Sequence, residues 1–429
     1  MAGLIFARLG HYALWDDEAM TALGAKAIMH TGDTSVLLDH GNIVAYRNGL
    51  HIRNQADRLT PPLAGYLTAA SFSLFGIDAW TARLPSALLG LATVALILFW
   101  ARWESRSVLL VLAFGLVCNV SLILFFRQCR YFAAAIFLSA AIVFIYWRWK
   151  PTPRHLLILA GLSVLLFAAN YMNYLALYVC LAVDYAAWQH REKRLTWTEW
   201  LLLLGPQVVL LGVISSIWNP LLTTLAGDEG MNTMGDRLIR CGWYWRDMGK
   251  SEFFAIPILL LALGVGLRQR RPWFLRGCVA IAVYVVFISL VSPQIVRHSA
   301  EGEVRYLAPI LPLALALQTG TLCALLERRK TLLILATVAV FGTNLLNGGP
   351  FLSWGLRSTI LSYLGELSLP QAEPYTPTAR WINDHVPEGK SIWVLPYYAV
   401  YPLMFHASRS QKSREPICFR PPICPSLIT

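Results

Sequence analysis

Apolar residues in this chain recur in blocks of about 15 to 20, with a short basic knot at every second join. That is the length scale on which a helix crosses a bilayer, since about 20 residues span about 30 Å of hydrocarbon. The pattern predicts spanning helices near residues 83–101, 107–126, 131–147, 155–170, 172–188, 200–219, 253–267, 273–291, 306–326 and 331–347. Residues 1–15 read as a further, foreshortened crossing. Leu63 to Gly76 is apolar over only about 14 positions, which suits an interfacial or re-entrant helix. The expected fold class is therefore an all-α polytopic membrane protein, a bundle of about 11 transmembrane helices.

Composition sharpens this. Of 429 residues, 56% are hydrophobic and only 14% charged, too few charges for a soluble multidomain enzyme. An outer-membrane barrel would alternate in segments of about ten residues, which the blocks do not do. The net charge of +12 would suggest nucleic acid if it lay on one soluble face. Instead it sits in Arg102 and Arg106; in Arg148, Lys150 and Arg154; in Arg191, Lys193 and Arg194; in Arg268, Arg270, Arg271 and Arg276; and in Arg328, Arg329 and Lys330. These clusters occupy every second connection between spans, the positive-inside pattern, so no nucleic-acid partner is expected.

With the basic loops cytoplasmic, residues 16–82, the corner from Arg127 to Tyr131, residues 220–252 and residues 292–305 face the other side, and the region from about Gly348 joins them. The chain divides into a transmembrane domain, 1–347, with the acids in its first external loop, and an extracytoplasmic region, 348–429, whose completeness the sequence leaves open. Ser391 to Phe405 reads as a β-type stretch, and 408–429 as disordered or truncated. Asp184 and Arg276 are nearly the only charges inside the spans, both near a cytoplasmic end. An ion-coupled transporter keeps ionisable groups at the midplane, whereas this chain keeps its polar chemistry at one surface.

The densest chemistry is Trp15-Asp16-Asp17-Glu18, followed by Met20, Leu23, Gly24, Ala27 and Ile28 at helical spacing and Gly32 as a stop signal. Three carboxylates at a helix start are explained by dipole compensation alone, or one of them is a base held at the membrane surface. A helix N-terminus stabilises an anion and so weakens it as a base. Substitution at a sugar carbon tolerates this, because the nucleophile's proton can leave late. Cysteine usage shows no CxxC or Cys/His metal spacing; only Cys418 and Cys424 could pair outside the spans.

WDDEAMTALGAKAIMHTGD, TPPLAGYLTAASFSLFGIDAWTARLPSALLG, the corner FRQCRYF and RYLAPILPLALAL, in this order, resemble the polyprenyl-phosphate-sugar-dependent glycosyltransferases of the GT-C class. The similarity is greatest to the branch of protein O-mannosyltransferases and lipid A aminoarabinose transferases, over most of residues 12–326. It implies an inverting transfer of a sugar from a polyprenyl phosphate to a lipid, glycan or protein acceptor at the extracytoplasmic face of the inner (plasma) membrane. The family's Asp-Glu pair falls on Asp17, as catalytic base, and Glu18, as its support; Asp16 has no counterpart role. Where the family often carries a basic residue before Pro-Pro this chain has Thr60, leaving Arg58 as the nearest cation.

An anionic leaving group needs fixed cations. The donor-phosphate candidates are Arg58, Arg83, Arg127, Arg130 with Tyr131, and Arg305 with Tyr306; the two Arg-Tyr pairs match the family. At span ends such arginines also serve as anchors among lipid headgroups. The resemblance requires no cofactor. His40, His51, Asp39 and Asp57 are the candidate ligands should a divalent metal bind, but they lack tight ligand spacing. Trp243, Tyr244 and Trp245 beside Arg246 and Asp247 are placed to stack on a sugar or to anchor at the interface. The competing readings are a transporter or flippase of a lipid-linked intermediate, and an inactive GT-C relative.

Overall fold

The computed structural model describes residues 1–32, 61–148, 152–217, 233–250, 255–292, 301–347, 355–387, 391–407 and 418–420. Arg58 and the candidate metal ligands His40, His51, Asp39 and Asp57 lie outside these residues. The helices are α1 Ala2–Phe6, α2 Asp16–Thr31, α3 Pro62–Phe75, α4 Ala79–Ala101, α5 Arg106–Cys118, α6 Val120–Phe126, α7 Phe132–Trp147, α8 Pro153–Ala169 and α9 Tyr171–Asp184, which runs on through a π-helical turn into α10 His190–Glu192. There follow α11 Trp197–Ile217, α12 Met234–Lys250, α13 Ile256–Arg268, α14 Pro272–Val291, a 3-10 helix Val304–Ile310, α15 Leu311–Leu326 and α16 Lys330–Phe341. Beyond them lie α17 Thr359–Ser368, α18 Tyr375–His385, strand β1 Ser391–Trp393, α19 Val400–Ala407 and strand β2 Cys418–Arg420.

Among the described residues, the expected apolar stretches are mostly helical. Among the described residues, four helices are long and apolar enough to cross a membrane, or five if the bent pair α5 and α6 is one span. The chain is a multi-pass membrane protein. The bend is 65° and has a local cause: Asn119 leaves helical geometry, and its side chain caps α6 by accepting from the Leu122 amide at 2.9 Å. The bend brings Phe126 against α4, where Gly90 leaves room for it. A Cβ at position 90 would lie 2.3 Å from Phe126 Cγ. Gly90→Ala is therefore expected to destabilise the detergent-solubilised protein by about 1–3 kcal/mol, read as a lowered thermal midpoint; an unchanged midpoint would mean the contact is not held in solution.

Three expectations need correction. Residues 1–15 do not form a crossing: only α1 is helical, five residues long, and the chain then folds against the start of α4, with Gly10 so close that a Cβ there would meet Trp80 Cβ at 2.7 Å. Residues 220–252 are not simply a loop, because 234–250 form α12, which packs on α14 and buries Arg240, Tyr244 and Met248. Tyr244 is fully buried and so cannot stack on a ligand. Ser391 to Phe405 is mostly not strand either: β1 covers three residues, pairs in parallel with β2, and gives way to α19.

Two apolar clusters position the site. The larger joins α4, α5, α7, α9, α14 and α15 at the centre of the bundle. The second packs α2 and α3 with α18 and α19, so the C-terminal helices share a core with the acid-bearing helix, Phe405 stacking on Phe72. His406 accepts a hydrogen bond from the Leu14 amide at 3.0 Å; burial pushes this imidazole down to about 4, keeping it a neutral acceptor.

Candidate active site

Helix α2 begins at Asp16 without a side-chain cap and ends at Gly32, whose left-handed backbone (φ 74°) closes it as the sequence predicts. Three successive acids at its start cannot share one environment, because neighbouring helical residues point about 100° apart. Asp17 turns toward the corner before α7 and the start of the 3-10 helix. Its Oδ2 accepts from Arg130 Nη1 in a short ion pair, and Arg305 Nη1 lies 3.4 Å away. Arg305 also donates to Glu303 Oε2 through Nη2 at 3.0 Å and Nε at 3.2 Å. Arg130 lies among the rings of Trp15, Tyr131 and Phe132, and Arg305 beside that of Tyr306. The sequence-predicted Asp17, Arg130, Tyr131, Arg305 and Tyr306 thus come together in space. Arg305 is the most open of the charged groups, its side chain 37% exposed.

Glu18 turns the other way and is 1% exposed. Its carboxylate is gripped by Arg83 through Nε at 3.0 Å and Nη2 at 2.6 Å, and it accepts from the Cys129 amide at 2.7 Å. Arg83 spends its remaining donors on the carbonyls of Leu9, Tyr12 and Ala13. Arg127 likewise faces backbone, donating to the carbonyls of Leu4, Ile5, Ala7 and Arg8. The expected phosphate contacts of Arg83 and Arg127 are therefore corrected: both guanidiniums hold the amino-terminal segment against the bundle, and Arg83 also ties it to α2. Chain lacking regular helix at a membrane surface needs such donors for its carbonyls.

Sequence reasoning missed Glu303 and the support behind it. Asp247 of α12 accepts from the Gly302 amide at 2.7 Å. A Cβ at Gly302 would meet the Tyr244 backbone at 2.9 Å, so glycine allows this turn to lie flat on α12. The signal lay in the sequence as Gly-Glu-Val-Arg-Tyr, whose acid two residues before Arg305 reads there as an ordinary loop charge.

Asp16 sits beside the pair but apart from it. Its Oδ1 is buried without a hydrogen-bond partner. Burial, and then the charge of Asp17, push its carboxyl up to about 6 against the opposing pull of Arg130. No group of three or more potential metal ligands occurs among the described residues.

Three solved structures share this architecture. The apo crystal structure of ArnT from Cupriavidus metallidurans matches with a TM-score of 0.60 at 15% identity, covering 97% of this chain and 83% of that one. The same protein bound to undecaprenyl phosphate matches equally well at 13% identity. The chain has a GT-C-like fold. The archaeal oligosaccharyltransferase AglB from Archaeoglobus fulgidus, in complex with an inhibitory peptide and a dolichol phosphate, matches with a TM-score of 0.50 at 11% identity, covering 95% of this chain and 62% of that one. No family model and no curated protein matches the sequence. At such identities the likeness speaks for the fold, and the chemistry has to be argued from this site's own residues.

Proposed function

We propose that this chain is an inverting glycosyltransferase that moves a sugar from a polyprenyl phosphate to an acceptor hydroxyl at the extracytoplasmic surface of the membrane. The observation that carries the reading is Asp17 held between Arg130 and Arg305 at the end of the bundle remote from the basic loops. Two guanidinium groups beside an exposed edge suit an anionic leaving group. A carboxylate beside them suits a proton acceptor. ArnT bound to undecaprenyl phosphate, which has the same fold, is consistent with such a donor.

In the resting site Asp17 Oδ2 is occupied by both arginines. A donor phosphate would compete for Arg130 and Arg305, releasing that oxygen just where the acceptor arrives. The acceptor oxygen then attacks the anomeric carbon, the bond from that carbon to phosphate oxygen breaks, the lipid phosphate leaves to the arginines, and the acceptor proton passes to Asp17. Glu303 steadies Arg305, and the Glu18–Arg83 pair fixes the height of α2 against α4.

Arg305→Ala should raise the donor concentration needed for half-maximal rate on the order of 10- to 100-fold, measured with saturating acceptor; an unchanged donor response would leave Arg305 an interfacial anchor. Asp16 makes donor affinity pH-dependent. Below about 6 it is neutral, and above it adds a negative charge beside the phosphate seat. Donor affinity should therefore fall as pH rises through 6, and Asp16→Asn should flatten that step; an unaltered step in the variant would assign it to another group.

The whole reading is tested by incubating purified protein with a panel of polyprenyl-phosphate sugars and candidate acceptors. Release of free lipid phosphate together with a glycosylated acceptor supports it. Movement of labelled lipid across a vesicle membrane with no glycosidic product would replace it with a flippase.

A further inference from the structure

A cavity of about 1070 Å³ opens at the opposite end of the bundle, among the basic ends of α4, α5, α7, α9, α14 and α15. Its walls are apolar, formed by Ile97, Trp100, Leu112, Leu177, Leu313 and Ala324 among others. The lining includes Tyr284 and also Pro309 and Ile310, the end of the 3-10 helix that carries Arg305. Its mouth gathers Arg148, Arg271, Arg328 and Arg329 from three separate loops and Arg276 from the first turns of α14, with Glu104, Asp184 and Glu327 as the acids.

The cations at the mouth are of two kinds. Arg276 is bound to Asp184 through Nε at 2.7 Å and Nη2 at 2.6 Å, and reaches Gln189 at 3.1 Å, so it braces the wall. Among the described residues, Arg148, Arg271, Arg328 and Arg329 form no ion pair. Arg148 is held in place by stacking 3.6 Å from the ring centre of Trp103. Glu327 is already engaged, accepting from Ser105 at 2.7 Å. Deeper in, the hydroxyls of Ser139 and Thr319 line the cavity and are buried with no hydrogen-bond partner.

Unpaired guanidinium groups at the mouth, a large apolar interior and two unused donors along its wall describe a receptor with an anionic end and a hydrocarbon end. Basic pockets between helices on the cytoplasmic side take lipid headgroups in this way, and a volume of this size inside a packed bundle is costly to leave unfilled. We propose that this cavity is a binding site for an anionic phospholipid of the cytoplasmic leaflet, its phosphate at Arg148, Arg271, Arg328 and Arg329 and its acyl chains between α4, α7, α14 and α15. The site is separate from the acid and arginine cluster at the other end of the bundle and stands whether or not transfer occurs there. Its occupant would brace the helices beneath the 3-10 turn that presents Arg305.

The test uses the whole chain in detergent, titrated with phosphatidylglycerol or with phosphatidylcholine of the same acyl chains, and reads the thermal midpoint and the bound phospholipid by native mass spectrometry. Phosphatidylglycerol should bind and raise the midpoint, and phosphatidylcholine should do neither at the same concentration. Arg271→Gln/Arg328→Gln/Arg329→Gln should weaken phosphatidylglycerol on the order of 100-fold at low salt, whereas the matching triple lysine variant should keep most of the affinity. Equal stabilisation by both lipids, or undiminished phosphatidylglycerol binding in the glutamine variant, overturns the proposal.

Discussion

Replacing Asp17 with asparagine should leave expression, insertion and thermal stability close to wild type while lowering the maximal rate of sugar transfer by about 100- to 10,000-fold. Asparagine keeps the shape of aspartate and one oxygen for Arg130, but cannot take up the acceptor's proton. It also removes the anion that competes with donor phosphate for Arg130 and Arg305. The donor concentration for half-maximal rate should therefore stay level or fall as the maximal rate collapses. That split separates a proton acceptor from a residue that merely positions the arginines, whose loss would raise the donor requirement. A variant with near-normal maximal rate would remove Asp17 from the chemistry.

The second large effect concerns stability. Arg83→Ala strips Glu18 of both its ion-pair bonds inside a site that is almost fully dry, and frees three backbone carbonyls of residues 9–13. Breaking a buried pair by removing one partner costs about 3–5 kcal/mol, a large share of the stability of an ordinary domain. The variant should yield little folded protein, or protein with a sharply lowered thermal midpoint, and any activity loss should track that unfolding. Lysine at position 83 should rescue only partly, since it lacks the fork that meets Glu18 and the carbonyls together. An Arg83→Ala protein of normal stability whose donor affinity alone is weakened would restore the phosphate-binding role first expected of this residue.

The contrast between Asp17 and Glu18 shows what a sequence yields here and what it hides. Hydropathy places α4, α7, α14 and α15 within a few residues, because a bilayer-length apolar block has few other solutions. The acids at 16–18 announce a site by their density, and the arginines at 130 and 305 by standing at the same end of the chain's zigzag. Which acid faces the arginines depends on the rotation of α2, and α2 is rotated by its packing on α3 and α19. That is tertiary information with no local signal. Arg83 and Arg127 likewise look like interfacial cations along the sequence, and only the path of residues 1–15 reveals that their donors are consumed by backbone. Glu303 stayed hidden because its significance depends on Gly302 lying flat on α12.

The central claim is spatial: a carboxylate and two guanidinium groups from three distant stretches of chain form one seat for a phosphate. The most direct measurement is a cryo-electron microscopy structure of the protein in lipid nanodiscs with a polyprenyl phosphate. The account predicts phosphate density within hydrogen-bond reach of Arg130 and Arg305, with Asp17 released from at least one of them. Bound polyprenyl phosphate with its phosphate away from Arg130 and Arg305, and Asp17 still clasped by both arginines, would contradict it.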